Sequence, residues 1–263
     1  MEKLRIFKIG GKVVENQEYL DFFLENYAKI EDNKILVHGG GNWVSEMSEK
    51  LGIEVKKIDG RRITDAETLK VVVMMLAGLA NKTVVAKLQA HQCNAIGLTG
   101  ADGNIILSKK RPFKNGIDYG FVGDVEEVHA EALIQLIDHG FSPVLTALTH
   151  DKKGNLLNTN ADTIASVLAV AISKFYEVEL VFCFDLPGVL EHIEDHKSII
   201  ENINSENYSS LKKGKVINDG MIPKIDNAFD ALRSGVSKVR ICHSNDIIKF
   251  AHGTQQFGTL ISI

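Results

Sequence analysis

Cysteine is scarce in this chain: Cys93, Cys183 and Cys242 are the only three among 263 residues. An odd number without metal-ligand spacing argues against both a disulfide framework and a zinc finger. Cys183 and Cys242 fall in apolar stretches that read as strands, where a thiol stays buried and free. That pattern predicts a cytoplasmic protein. Positive charge is neither abundant nor clustered, and the net charge of -4 offers no surface for nucleic acid or an anionic membrane. The longest apolar run, Val71 to Ala80, is too short to span a bilayer. No leader peptide is expected, because a strand is read almost from Met1. Two common nucleotide fingerprints are missing as well, the G-x-x-x-x-G-K-[ST] phosphate loop and G-x-G-x-x-G. Proline is rare, at 4 residues, and neither repeats nor linkers divide the chain, so one domain is expected.

Glycine, by contrast, collects where strands end. Leu4 to Ile9 is a short buried strand, apolar apart from Arg5 and Lys8, and it runs straight into Gly10-Gly11. A lysine at the exit of a buried strand is costly unless an anion meets it. Adjacent glycines let the backbone turn sharply and approach a ligand closely. An ordinary strand-to-turn junction would also explain the stretch taken alone. A second strand, Lys34 to His38, ends in Gly39-Gly40-Gly41, and Asn42 then opens a helix carrying Val44, Met47 and Leu51 on one face. Strand, glycine loop and helix N-terminus together make an anion site, since free N–H groups and the helix dipole point there.

Further along, Glu18 to Ile30 reads as an amphipathic helix. Thr64 and Glu67 read as a capping box for a helix starting near Asp65. Val71 to Ala77 is apolar on every side, which suits a core helix or an oligomer interface, and the interface is preferred. Short strands are expected at Asn94–Leu98, Ile105–Ser108, Tyr119–Val125, Ser142–Leu148, Leu180–Phe184, Val239–Cys242 and Thr259–Ser262. Helices are expected over Ala130–His139, through Ile172 and through Leu232, with a short surface helix inside the polar stretch Glu191–Lys215. Thr149–Leu157 reads as turn-rich. Alternating strands and helices specify an α/β fold, a three-layer α/β/α sandwich around a mainly parallel open sheet. Ligands in such sheets sit beyond the C-terminal strand ends, where these glycines fall.

Six motifs occur in one order: Lys8-Ile9-Gly10-Gly11, His38-Gly39-Gly40-Gly41, Gly60-Arg61-Arg62, Asn158-Thr159-Asn160-Ala161-Asp162, Asp185-Leu186-Pro187-Gly188-Val189 and Asp219-Gly220-Met221-Ile222-Pro223-Lys224. Each is weak alone. In this order and spacing they resemble the amino-acid kinase family over essentially the whole chain, and within it the kinases that act on N-acetyl-L-glutamate. The resemblance implies ATP-dependent phosphorylation of that substrate's side-chain carboxylate, in arginine biosynthesis. It implies an N-terminal lobe of about residues 1–175 for the amino-acid substrate and dimerisation, and a C-terminal lobe of about 176–263 for ATP. It also implies roles. Lys8 and Lys224 are the transition-state lysines, and Asp162 the carboxylate orienting them. Gly40, Gly41, Arg62 and Asn158 hold the substrate, with Arg62 on its α-carboxylate. Gly10, Gly11, Asp185, Gly188 and Gly220 belong to the nucleotide loops. Mg2+ arrives on the ATP phosphates, with no separate metal site.

The chemistry suits those roles. Phosphoryl transfer needs positioning and charge stabilisation rather than covalent help. A carboxylate nucleophile, with an ordinary pKa of about 4.3, is already ionised at neutral pH and needs no base. Blander readings stand beside these. Asp162 heads a helix and could be only its cap. Lys224 and Arg62 could be solvated surface cations. His38 is read as structural. A sensor that binds without catalysis would be expected to lack Lys8, Lys224 or Asp162, and all three are here.

Arginine-inhibited members carry a helix before the first strand, and its absence here predicts a homodimer without arginine feedback. The dimer is expected on the Val71–Ala80 helix, with Met75 as the position to probe. No further C-terminal domain of the aspartokinase or glutamate 5-kinase kind is expected. Arg61 stands where an apolar residue is often found, and a second cation there would favour a larger acidic acyl group such as succinyl. In an extended segment Arg61 and Arg62 point to opposite sides; if Gly60 turns the chain, both converge.

Overall fold

Side chains on β1 (Lys3–Ile9) alternate between two cores, and that alternation organises the molecule. Leu4 and Ile6 face one apolar cluster. Phe7 and Ile9 face the other. The same period of two puts Lys8 on the face of Ile6. The structure, a computed structural model, describes residues 1–58, 61–214, 216–217, 221–254 and 256–263. Gly60, Asp219 and Gly220, and with them part of two motifs, lie outside the described residues.

After β1 come α1 (Gly11–Glu15), α2 (Gln17–Ala28), β2 (Asn33–His38) and α3 (Gly41–Lys50). The paired strands β3 (Lys57–Ile58) and β4 (Arg61–Arg62) follow. Then α4 (Ala66–Val72), a π-helical stretch (Val73–Ala80) and α5 (Asn81–Ala90) run on as one helix. Next are β5 (Ala95–Leu98), β6 (Ile106–Lys110), β7 (Gly123–Val128), α6 (Glu131–Asp138), β8 (Ser142–Thr146), β9 (Leu148–His150), β10 (Leu156–Asn158) and α7 (Ala161–Ile172). The last third holds β11 (Glu177–Phe184), β12 (Asn202–Ile203), α8 (Ser205–Lys213), α9 (Ile222–Arg233), β13 (Lys238–His243), α10 (Ile247–Ala251) and β14 (Thr259–Ile261).

Eight strands form the main sheet in the order β12-β14-β13-β11-β1-β2-β8-β5. It is parallel except where β14 runs against β13. One face carries α6, α7 and α9 through Leu133, Ile164, Leu168 and Ile225. The other carries α2, α5 and α10 through Phe23, Leu24, Leu88 and Phe250. This is the expected mainly parallel, three-layer α/β/α sandwich. Phe7 is fully buried and meets Tyr27 and Phe250 edge-on, with ring centroids 5.5 and 5.1 Å away. Arg5, the other charge on β1, is answered by Glu179 at 3.2 Å and by Asp32. The connection after β1 leads to β2 on one side, and β11 pairs with β1 on the other. That reversal opens a crevice beyond the C-terminal ends of β2, β1 and β11.

Several boundaries differ from the expected ones, for physical reasons. The apolar run Ser142–Leu148 is not one strand: β8 ends in the main sheet at Thr146, and β9 begins in a second sheet at Leu148. That second sheet, β10-β9-β6-β7, turns Thr149–Leu157 into a hairpin rather than a mere turn. The strand expected at Tyr119–Val125 lies later, at β7, because Gly120 and Val122 form single bridges to Thr64 and Asn158 instead. Asp65, not Thr64, caps α4: its carboxylate accepts the Thr68 N–H at 2.8 Å. Thr64 is fully buried beside Gly120.

The apolar run Val71–Ala80 sits inside a continuous helix of 25 residues, Ala66–Ala90, in which an 18-residue stretch has mean hydropathy 1.6. By length and composition alone that helix could cross a membrane, contrary to the reading from the apolar run. Its Val71, Val72, Leu76, Val84 and Leu88 are buried in the two cores. Met75, the position expected to probe the dimer interface, is buried too, and the outward residues are Met74 and Leu79, each about half exposed.

Candidate active site

The crevice is a cleft of about 860 Å³. Lys8 closes its floor. Only 7% of the residue is accessible, and its ammonium lies 2.7 Å from Asp162 Oδ1. The period of β1 makes that contact. Lys8 shares the face of Ile6, on which α7 begins with Asp162 in its first turn. Asp162 is not the cap. Asn160 is, its side-chain oxygen accepting from the N–H groups of Asp162 and Thr163. The Asp162 carboxylate is therefore left for the lysines, and Lys224, in the first turn of α9, approaches its Oδ2 to 3.7 Å. Burial would raise the Asp162 pKa. The charges of Lys8 and Lys224 outweigh it and hold the carboxyl below the usual range. Burial lowers the Lys224 pKa; Asp162 opposes this and the like charge of Lys8 adds to it, with a net lowering.

Phe184 completes this end, although it lies outside all six motifs. Its ring centroid lies 3.7 Å from the Lys224 ammonium and 5.5 Å from that of Lys8. An aromatic face stabilises a nearby cation by about 0.5–2 kcal/mol. Nothing in the motif Asp185-Leu186-Pro187-Gly188-Val189 that follows it signals the contact, because it depends on β11 lying beside β1.

The glycine loops form the adjoining wall. Gly40 has φ of +143°, a conformation that L side chains rarely adopt, and a Cβ there would come within 2.9 Å of Leu76 Cδ2. Gly40 is also the N-cap of α3, with no side chain to place before the helix. Gly41 is open, with nothing near its missing Cβ. His38, fully buried, is held by Asn81 Nδ2 at 3.2 Å and the Gly39 carbonyl at 2.8 Å. Burial pushes its pKa down to about 4, so it is a neutral structural residue at pH 7.

Arg62 reaches across to this wall. Its Nη2 donates to the Gly41 carbonyl at 2.7 Å and to Ser45 Oγ at 2.8 Å, while its buried Nη1 has no acceptor. Asn158 ends β10, and its Nδ2 donates to Thr64 Oγ1 at 3.0 Å. Arg61 lines the same cleft as Arg62 although the two occupy adjacent positions of β4. Lys57, paired with Arg62 across the two short strands, and Arg111, just beyond β6, also line it. Neither belongs to any of the six motifs.

The expected site residues thus fall into two groups. Lys8, Gly11, Gly40, Gly41, Arg62, Asn158, Asp162 and Lys224 line one cleft. Gly10 lies just behind Lys8 and caps α1. Asp185 sits beside the cleft, paired with Lys12, which holds its carboxyl below the usual range. Gly188 packs against Thr259, where a Cβ would meet Oγ1 at 2.7 Å, so packing accounts for that glycine. Gly220 is outside the described residues.

Residues 3–243 match the model of the amino acid kinase family. A protein of Cytophaga hutchinsonii called acetylglutamate kinase is 56% identical over 259 residues, covering 98% of each chain. One of the same description from Parabacteroides distasonis is 51% identical, covering 98% of this chain and all of its own. Among solved structures, smu.665 from Streptococcus mutans superposes with a TM-score of 0.77 at 28% identity, covering 98% of both chains.

Proposed function

The chain belongs to the amino acid kinase family, and within it we propose an ATP-dependent kinase of N-acetyl-L-glutamate, transferring the γ-phosphoryl group to the side-chain carboxylate, as in arginine biosynthesis. The observation that carries this reading is Lys8–Asp162–Lys224. Two ammonium groups are held on one carboxylate, at the floor of a cleft whose wall is an open helix N-terminus. The geometry meets the needs of a loose phosphoryl transition state, whose charge spreads over three oxygens. Lys8 and Lys224 stabilise that charge from positions set before substrate arrives, which is where electrostatic catalysis gains most. Asp162 keeps the two cations from separating and is not itself a base. The substrate carboxylate is ionised at pH 7 and attacks directly.

Arg62 grips the α-carboxylate with its free Nη1, steadied from behind by Gly41 and Ser45. Asn158 supplies a second substrate contact. Gly10, Gly11, Asp185 and Gly220 serve the nucleotide, with residues 1–175 as the substrate lobe and 176–263 as the ATP lobe. Mg2+ rides on the ATP phosphates, because the carboxylates that line the cleft among the described residues, Asp124 and Asp162, are already engaged by cations. The protein works in the cytoplasm as a homodimer, burying Met74 and Leu79 of the long helix against a second copy. A sedimentation experiment on Met74→Glu/Leu79→Glu checks the dimer: a wild-type monomer, or an intact dimer in the variant, removes this interface. The activity is tested by ATP-dependent hydroxamate formation across N-acetyl-L-glutamate, L-glutamate and L-aspartate. Reaction with N-acetyl-L-glutamate is expected; turnover of the free amino acids only would overturn the reading.

A further inference from the structure

The substrate end of the cleft carries more positive charge than N-acetyl-L-glutamate can answer. That substrate has two carboxylates. Its side-chain carboxylate goes to Lys8 and Lys224, and its α-carboxylate to Arg62. Three more cations, Lys57, Arg61 and Arg111, line the same cleft. Arg111 is met by Asp124, its Nε at 3.0 Å and its Nη2 at 2.5 Å, and it lies over the Tyr119 ring at 5.2 Å. Its Nη1 is nonetheless buried without an acceptor, as is Nη1 of Arg62. Among the described residues, neither Lys57 nor Arg61 has a carboxylate partner. Among the described residues one acid, Asp124, therefore stands at this end against Lys57, Arg61, Arg62 and Arg111. Like charges gathered in a cleft repel one another, more strongly where water is partly excluded. A buried guanidinium N–H without an acceptor adds a desolvation cost. An acetyl methyl group relieves neither.

Resting on the reading of the site as an acyl-glutamate kinase, we infer that the cleft also binds, and prefers, an acyl group ending in its own carboxylate: a dicarboxylic half-amide of glutamate such as N-succinyl-L-glutamate. The third carboxylate meets Arg61, Lys57 and Arg111 Nη1 while the first two keep their places. A guanidinium suits this role, since it can take a carboxylate through two parallel hydrogen bonds. The extended backbone of β4 would point Arg61 and Arg62 to opposite sides, yet both line the cleft. This is the arrangement that a substrate with a carboxylate on its acyl group requires.

The test is kcat/KM for N-acetyl- and N-succinyl-L-glutamate in the wild type and in Arg61→Leu and Lys57→Met. Taking the ratio of the two substrates within each protein cancels any loss from folding. About a tenfold or larger preference for the succinyl substrate is expected, falling about tenfold in Arg61→Leu and less in Lys57→Met. A wild type that phosphorylates the acetyl substrate without preferring the succinyl one overturns this inference and leaves the kinase reading standing. So does a preference that neither variant changes. If both rates fall equally in the variants, the cations only steer anions toward the cleft and the inference is wrong. If neither acyl-glutamate is phosphorylated, the kinase reading itself fails.

Discussion

The two ends of the cleft hold their positive charges differently. At the floor, Lys8 and Lys224 share an internal carboxylate, Asp162, and an aromatic face, Phe184. At the far end, Arg62 leans on a carbonyl and a hydroxyl, and Arg61 and Lys57 on nothing acidic among the described residues. The floor is thus set before anything binds, whereas the far end is completed by its ligand. A transition state lives too briefly to organise its surroundings, so the groups that stabilise it must be built in. A ground-state carboxylate can itself supply the counter-charge to the group that binds it.

If that contrast is right, the floor should fail in kcat and the far end in KM. The largest effect is expected from Lys8→Ala and Asp162→Ala, with kcat down by about two or more orders of magnitude. Steady-state assays beside circular dichroism would check it, and a folded Lys8→Ala enzyme with near-normal kcat would sink the two-lysine arrangement. Arg62→Lys comes next. It keeps the charge but loses one of two parallel hydrogen bonds, so KM for the acyl-glutamate should rise by about tenfold while KM for ATP hardly moves. Equal changes in both would place Arg62 elsewhere.

Phe184→Leu should act at the floor, only more gently. Losing about 0.5–2 kcal/mol of cation–π attraction corresponds to a fall in kcat of about two- to thirtyfold. It also has a direction in pH. The ring favours the charged form of Lys224, whose pKa burial already lowers. Without the ring that value drops further, so the alkaline limb of the kcat profile should move to lower pH. A limb that stays put, or moves up, would remove Phe184 from the electrostatics of the pair. The smallest effect belongs to Asn160→Ala, which removes the cap of α7. A loss of about 1 kcal/mol, and a Tm lower by about 2–4 °C, should appear in thermal unfolding. No change would mean that the helix head is held by its packing alone.

Much of this is legible in the residues alone. Period-two and period-3.6 patterns, punctuated by glycine, located most elements, because local sterics and burial act over a few residues. The Ser142–Leu148 run misled because one apolar stretch can serve two sheets in turn, and no local signal marks the change at Ala147. Thr64 resembled a cap because its spacing to Glu67 fits one, but the bridge to Gly120, 56 positions away, decides its place. Met75 was expected at the dimer interface because a helix apolar all round hides which face is buried.

What the sequence determined by itself was the class of the fold and the list of residues able to do the chemistry. Lys8 at the end of a buried strand, glycines after β1 and β2, and an asparagine-rich helix head are local facts, written in neighbouring residues. What only the tertiary structure decided was which of them meet. Phe184 lies over Lys224 because β11 pairs with β1, strands more than 160 residues apart in the chain. Asp162 reaches Lys8 because α7 lies across the face that Ile6 and Lys8 share. Lys57, Arg61 and Arg111 gather at one end because β3, β4 and the chain beyond β6 line the same opening. Such contacts span distances at which no pattern of neighbouring residues carries information, and they exist only once burial of the two cores has brought the elements together.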